Sequence, residues 1–129
     1  MTVLWTSWIT VAVCGLYFWT VVEVGKARKR HAVPAPSMVG PDGFLRALRV
    51  QGNTVEQLVL FLPALWLCAI WYSDHAAAVA GAVWVCGRIL YARAYLQDAA
   101  KRGPGFIIAL LATLALLLGA VLGLSGLLK

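Results

Sequence analysis

Residues 105–128 read GFIIALLATLALLLGAVLGLSGLL, and no side chain in this stretch is charged. A helix of about 20 apolar residues is long enough to cross the hydrocarbon core of a bilayer. Three further apolar stretches of similar length lie at about 3–25, 50–72 and 76–97. Because these runs are continuous rather than alternating, they predict membrane-spanning helices and exclude a membrane β-barrel.

The composition of the whole chain supports this interpretation. Of its 129 residues, 62% are hydrophobic and 12% are charged, and the mean hydropathy is +0.84. Soluble domains carry about a quarter of their residues as charges, so a soluble globule, a disordered chain and a disulfide-stapled secreted module are excluded. We therefore expect residues 1–129 to form one all-α domain, an integral membrane four-helix bundle.

The positive charges predict how the spans are oriented. All but one of the eleven Lys and Arg residues lie in or beside the first loop, about 26–45, or in the third span and the loop after it. The second loop, 73–75, carries none. By the positive-inside rule, loops one and three are cytoplasmic and both termini lie on the opposite side. We expect the membrane to be a bacterial inner membrane. The net charge of +6 is thus attributed to topology, and no nucleic-acid partner is expected.

Polar side chains recur at helical spacing within two spans. On the second span they are Arg46, Arg49, Asn53 and Glu56, and on the third they are Arg88, Tyr91, Tyr95, Asp98 and Arg102. Steps of 3 and 4 residues place each set on one helical face. Because a tight turn near Asp74 joins the two spans, we expect an antiparallel hairpin in which the two stripes meet in a polar pocket near the cytoplasmic surface.

The residue types indicate the ligand that such a pocket would bind. Arginines favour a carboxylate, Glu56 favours an ammonium group or a peptide N–H, and Asn53 both donates and accepts. A small zwitterionic peptide with extra carboxylates meets these requirements. The alternative is structural: Arg49 or Arg88 pairs with Glu56 and holds helices together. No cluster of metal ligands is present, so no metal site is expected.

Two segments carry a resemblance to a known family. Arg49-Val-Gln-Gly-Asn53-Thr-Val-Glu56, followed by an apolar run with a proline, resembles the second-helix signature of the MAPEG superfamily. These are membrane-associated proteins in eicosanoid and glutathione metabolism. Gly87-Arg88-Ile-Leu-Tyr91-Ala-Arg-Ala-Tyr95, followed by Lys101-Arg102 and a fourth apolar span, resembles the third-helix segment of that family. The likeness covers the whole chain, including its length, its four spans and its long first loop.

The resemblance implies a homotrimer that binds glutathione between neighbouring subunits near the cytosolic side. The positions that match the glutathione-binding set are Arg28, Arg49, Gln51, Asn53, Glu56, Tyr91 and Tyr95. Arg102 matches the family arginine that stabilises the glutathione thiolate. Arg28 matches a basic residue that reaches the tripeptide's carboxylate from the adjacent subunit. Glutathione is then the co-substrate, and a lipophilic electrophile is expected to arrive from the membrane lipid beside spans one and four.

Three departures from the family pattern bear on the activity. Gln57 stands where several glutathione-using members have Tyr, and Leu90 and Gln97 replace basic residues of some members. These differences favour a detoxification transferase over a narrow eicosanoid role, and the balance with peroxidase or isomerase activity stays open. Two other functions also remain open. One is a small drug/proton antiporter with Glu56 as its coupling acid, and the other is a glutathione-binding protein of the same fold without catalysis.

Overall fold

The structure, a computed structural model, describes residues 2–127 as a bundle of four long helices. They are α1 (Leu4–His31), α2 (Asp42–Trp71), α3 (Asp74–Gln97) and α4 (Gly103–Ser125), with a single 3₁₀ turn at Ala99–Lys101 before α4. The described residues contain no strand, and all four helices are long and apolar enough to span a membrane. The predicted all-α, membrane-spanning architecture is therefore confirmed.

The connection between α1 and α2 is shorter than the sequence suggested. It comprises residues 32–41 rather than about 26–45, because α1 continues to His31 and α2 begins at Asp42. Lysine and arginine are good helix formers, so the basic segment prolongs α1 after its apolar run has ended. The helix stops where Ala32 takes a left-handed conformation, with φ 53°. The predicted fourth span ended at residue 128, which lies outside the described residues.

The hairpin of α2 and α3 is antiparallel, as expected. A two-residue turn joins them, and the hydroxyl of Ser73 caps α3 by accepting a hydrogen bond from the backbone N–H of Ala76 at 3.1 Å. Contacts along the hairpin run in opposite order on the two helices: Arg46 with Leu96, Thr54 with Arg88, and Phe61 with Trp84. The rings of Phe61 and Trp84 stack with centroids 3.9 Å apart in the main core.

The end of the bundle at this turn is closed by a carboxylate from α3. Asp74 accepts hydrogen bonds from the backbone N–H groups of Trp5 and Thr6, at 3.1 and 2.9 Å. These donors belong to the first turn of α1, where backbone N–H groups have no partner within the helix. Asp74 therefore caps α1 from another helix and fixes the start of α1 against the α2–α3 turn.

The helices α3 and α4 cross in close contact beside Tyr91. A Cβ atom built on Gly105 would collide with the backbone N and Cα of Tyr91 and with the carbonyl oxygen of Gly87. Only a glycine allows this approach, since the neighbouring atoms belong to backbone and cannot rotate away. The crossing thus holds the part of α3 that carries the predicted tyrosines.

Candidate functional site

Three members of the predicted stripe, Arg88, Tyr91 and Tyr95, face the interior of the bundle from α3. Because α3 ends at Gln97, Asp98 and Arg102 lie beyond the helix and are exposed, contrary to the prediction of one continuous helical face. Arg88 and Tyr91 are buried, with 1% and 2% of their surface exposed, and Tyr95 is half-buried. The Tyr91 and Tyr95 rings meet edge to face with centroids 5.5 Å apart. The guanidinium carbon of Arg88 lies 4.0 Å from the Tyr91 ring centroid, within cation–π range. The structure therefore brings these three predicted residues together in one column.

The deepest arginine is bound by a threonine rather than by a carboxylate. Arg88 donates from Nη2 to the hydroxyl of Thr54 at 2.9 Å, and Thr54 donates to the carbonyl oxygen of Val50 at 2.7 Å. The Nε and Nη1 atoms of Arg88 are buried without a hydrogen-bond partner. Among the described residues no ion pair joins Arg88 to Glu56, so the proposed structural pairing of these two is wrong.

The polar stripe of α2 is divided: Arg46 bonds to the Leu96 carbonyl oxygen of α3, whereas Arg49 and Glu56 lie outside the contact with α3. Val50, Thr54 and Phe61 form the buried face of this helix, whereas Arg49 and Glu56 are exposed. A helix turns by about 100° per residue, so the Arg49–Glu56 stripe is rotated by roughly 120° from the buried face. For this reason Arg49 and Glu56 do not meet Tyr91 within one chain, contrary to the expectation that both stripes share a pocket.

Asn53 lies at the border between these two faces of α2. It is half-buried, and its carbonyl oxygen Oδ1 is inaccessible yet accepts no hydrogen bond. A buried amide oxygen without a donor is costly, because it has lost its hydrogen bonds to water. Within the described residues, Asn53 is thus a predicted site residue with unmet hydrogen-bonding capacity.

The two remaining residues of the predicted set on α1 and α2 have partners within the chain. Gln51 donates from Nε2 to the Tyr17 hydroxyl at 3.4 Å, a long hydrogen bond between α2 and α1. Arg28 donates from Nη1 to the Ser37 carbonyl at 2.7 Å, and its guanidinium carbon lies 5.0 Å from the Phe44 ring centroid. Arg28 is therefore held against the 32–41 connection, apart from the tyrosine column.

Arg102 lies at the open end of the tyrosine column. It is exposed, donates from Nη1 to the carbonyl oxygen of Ala99 at 2.7 Å, and has its guanidinium carbon 5.7 Å from the Tyr95 ring centroid. An arginine has five N–H donors, so this bond leaves most of them free for a ligand. From the surface toward the interior, the column thus presents the Arg102 cation, then the Tyr95 phenol and then the Tyr91 phenol.

Sequence reasoning missed Thr54, although it is the only hydrogen-bond partner found for Arg88 in residues 2–127. The signal was present in the apolar spacing of Phe44, Ala47, Val50, Thr54 and Phe61, which marks the buried face of α2. Because Thr54 shares the spacing of these buried residues, it could be predicted to face α3. The spacing of the charged residues beside it did not show which helix they would face. In the same described residues, no group of three potential metal ligands comes together.

An open apolar groove lies on the outside of α1 and α3. Its volume is about 600 Å³, and it is lined by Ala12, Leu16, Trp19, Val85, Ile89 and Arg93. The sequence had suggested spans one and four as the apolar walls for a lipophilic compound. One wall of the groove is α1, as expected, but its second wall is α3 rather than α4.

Comparison with known proteins places the chain in a family. A family model described as the MAPEG family matches residues 6–122. An uncharacterised protein of Synechocystis sp. is 47% identical over 121 residues, which cover 94% of this chain and 88% of that protein. Human microsomal glutathione S-transferase 2 is 37% identical over 101 residues, covering 78% of this chain and 69% of the human protein.

A further similarity is to an enzyme named for an eicosanoid. Leukotriene C4 synthase of Cavia porcellus is 36% identical over 81 residues, covering 63% of this chain and 54% of that protein. The match with the family model extends through all four helices, and these are long and apolar enough to span a membrane. The chain is therefore a multi-pass integral membrane protein that belongs to the MAPEG family.

Proposed function

We propose that the chain is a membrane-bound glutathione transferase, which activates glutathione as a thiolate for attack on lipophilic electrophiles. Its relatives include proteins named microsomal glutathione S-transferase 2, at 33–37% identity. Detoxification is the role we assign, and peroxidase activity is a second reaction to be measured. The site we propose comprises Arg102 as the catalytic residue, with glutathione bound by Arg28, Arg49, Gln51, Asn53, Glu56, Tyr91 and Tyr95.

The observation that carries this proposal is the outward-facing polar stripe of α2. Glu56 lies about 22 Å along the helix from Trp71, well inside the length that spans a bilayer. Charged side chains at that depth are costly in lipid and almost always face protein or a polar cavity. Arg49 and Glu56 are exposed on the isolated chain. A second copy of the chain and a polar ligand would supply the protein and polar contacts that these two side chains lack.

This requirement supports the homotrimer as the working assembly. In our proposal the α2 stripe of one copy faces a neighbour, and glutathione lies between them. The accessible part of the Asn53 amide then contacts the peptide, and Arg28 of the neighbour offers its free N–H groups to a carboxylate. We also propose that loops one and three are cytoplasmic, where soluble glutathione is available, in a bacterial inner membrane.

The proposed chemistry uses glutathione itself as the nucleophile. A free thiol has a pKa of about 8.5, so little thiolate exists at neutral pH. The Arg102 cation and nearby phenols favour the charged form of the sulfur. The thiolate forms a bond to an electrophilic carbon, the leaving group departs with the bonding electrons, and the thiol proton is released to water. Positioning by the subunit interface makes the attack effectively intramolecular.

The first test is a calorimetric titration of glutathione into the detergent-solubilised protein. We expect binding by the wild type and at least about tenfold weaker binding by Asn53→Ala, because the amide is matched to the peptide and a lost partner leaves a polar group unpaired. Gln97→Ala is the matched control, since this amide is exposed at the end of α3, and it should bind as the wild type does. Absence of wild-type binding at millimolar glutathione would contradict the proposal.

A conjugation assay with a lipophilic aryl halide separates the proposed enzyme from a binding protein without catalysis. Conjugate formation that depends on both glutathione and the protein supports the transferase. Binding without conjugation supports the non-catalytic alternative. Absence of binding combined with proton-coupled export that is lost in Glu56→Gln would favour the antiporter instead.

A further inference from the structure

A polar cavity lies where α1 ends, α2 begins and α3 ends. Its volume is about 330 Å³, at the small end of the range for ligand sites. Its lining includes Glu23, Arg30, His31, Gly43, Arg46 and Leu96. None of these residues belongs to the proposed glutathione set, so the cavity has no part in the function assigned above.

Two basic side chains from different helices converge on a glycine in this cavity. A Cβ atom built on Gly43 would lie 2.8 Å from Nε2 of His31 and 3.9 Å from Nη2 of Arg46. Arg46 is oriented by a hydrogen bond from its Nε to the carbonyl oxygen of Leu96 at 3.2 Å. That bond leaves both terminal nitrogens of Arg46 available to a ligand. The absence of a side chain at position 43 lets the His31 imidazole pack closely against the backbone of α2.

The charges of the cavity favour an anion. Arg30 and Arg46 contribute two cations, and His31 adds a group that can donate a hydrogen bond. The single acidic residue of the lining, Glu23, lies 3.6 Å from the ammonium group of Lys26, which offsets its charge. Guanidinium groups bind oxyanions through paired hydrogen bonds, and donors on different helices suit a tetrahedral anion approached from several sides.

The position of the cavity along α1 indicates which oxyanion is available to bind there. His31 lies about 40 Å along α1 from Leu4, whereas the hydrocarbon core of a bilayer is about 30 Å thick. If α1 enters the membrane near its first turn, the segment from Glu23 to His31 reaches the headgroup layer. Phosphate is the anion that this layer presents, and it is also abundant as a soluble ion.

We propose that this cavity is a phosphate-binding site, which takes either inorganic phosphate or the phosphate of a lipid headgroup. Arg30, His31 and Arg46 supply the hydrogen-bond donors that face the cavity. The proposal does not rest on glutathione binding, and the two are tested separately.

The experiment follows the two histidine imidazole signals by NMR in the full chain. His75 is a built-in control, because it lies at the opposite end of the bundle, beside Trp5 at the start of α1. Titration of inorganic phosphate into protein in an uncharged maltoside detergent should move the His31 signal saturably and leave His75 in place. Potassium chloride at matched ionic strength should not reproduce the shift.

A second arm distinguishes the two sources of phosphate. In phosphatidylglycerol nanodiscs, a His31 signal already at its shifted position, with no further response to inorganic phosphate, assigns the site to lipid headgroups. A continued response to inorganic phosphate in the nanodiscs assigns it to the soluble ion. Failure of His31 to respond in either environment, or an equal response to chloride, would overturn the proposal.

Matched variants keep the test specific. Arg30→Gln should raise the half-saturating phosphate concentration about tenfold, since a charge-assisted hydrogen bond is lost. Lys29→Gln removes the same charge from the neighbouring exposed position outside the cavity and should leave the titration unchanged. Gly43→Ala adds a methyl group that would displace the His31 imidazole, so it should also weaken binding. Equal effects of Arg30→Gln and Lys29→Gln would show general electrostatic attraction and contradict a built site.

Discussion

An Arg102→Ala variant is expected to conjugate glutathione to a lipophilic aryl halide about 10²–10³-fold more slowly than the wild type, because loss of a donor to a developing or bound anion typically costs that much. Arg102 lies at the mouth of the tyrosine column, 5.7 Å from the Tyr95 ring centroid, with most of its donors free. It is the cation of the proposed site best placed to stabilise a thiolate there.

The Arg102→Ala substitution should also change the pH at which the conjugation rate rises. A cation near the sulfur lowers the pKa of bound glutathione below the free value of about 8.5, so the wild-type rate rises at lower pH than that. Without Arg102, thiolate absorbance and the rate should both rise only at higher pH. The control is Lys101→Ala, which removes a neighbouring exposed cation and should keep the wild-type profile. A full rate and full thiolate absorbance in Arg102→Ala would refute the assigned role.

A Gly105→Ala variant is expected to destabilise the bundle strongly. The added methyl group meets the backbone of Tyr91 and Gly87, which cannot move aside without separating α3 from α4. Overpacking of this kind costs about 1–3 kcal/mol and sometimes more. Because the displaced residue is Tyr91, glutathione affinity should fall together with stability.

Gly103 provides the matched control for this substitution. A Cβ atom on Gly103 has no neighbour within 4 Å, although it lies only two residues earlier in the same helix. Gly103→Ala should leave the thermal unfolding midpoint in detergent unchanged or slightly raised, since alanine favours helix more than glycine does. Equal midpoints for Gly103→Ala and Gly105→Ala would show that the α3–α4 crossing adapts freely, and would contradict the argument.

The spans were predictable because hydropathy is a property of the segment itself. Residues 105–128 carry no charge, and a helix through them needs no information from elsewhere in the chain. The ends of α1 and α2 were not predictable in this way. Hydropathy falls after position 25, whereas α1 continues through the basic residues to His31 and α2 begins at Asp42, before the apolar run of the second span.

The candidate site was predictable in its residue types but not in its arrangement. Spacing correctly placed Arg88, Tyr91 and Tyr95 on one face of α3, and that face is buried. Spacing also grouped Arg49, Asn53 and Glu56, but it carries no information about which neighbour a face meets. Packing determines which face of α2 meets α3: Val50, Thr54 and Phe61 occupy that contact, and Arg49 and Glu56 remain outside it.

The central claim is that glutathione lies between two copies of the chain, with Arg28 from one and Asn53 from the other. The most direct test mixes Arg28→Ala and Asn53→Ala chains during co-expression, after each variant alone has been shown to bind glutathione poorly. In randomly mixed oligomers about a quarter of the interfaces combine an intact Arg28 with an intact Asn53 on the neighbour. We predict that calorimetry recovers wild-type affinity at about that fraction of sites. If the mixture binds no better than the separate variants, the two residues do not share a site across the interface.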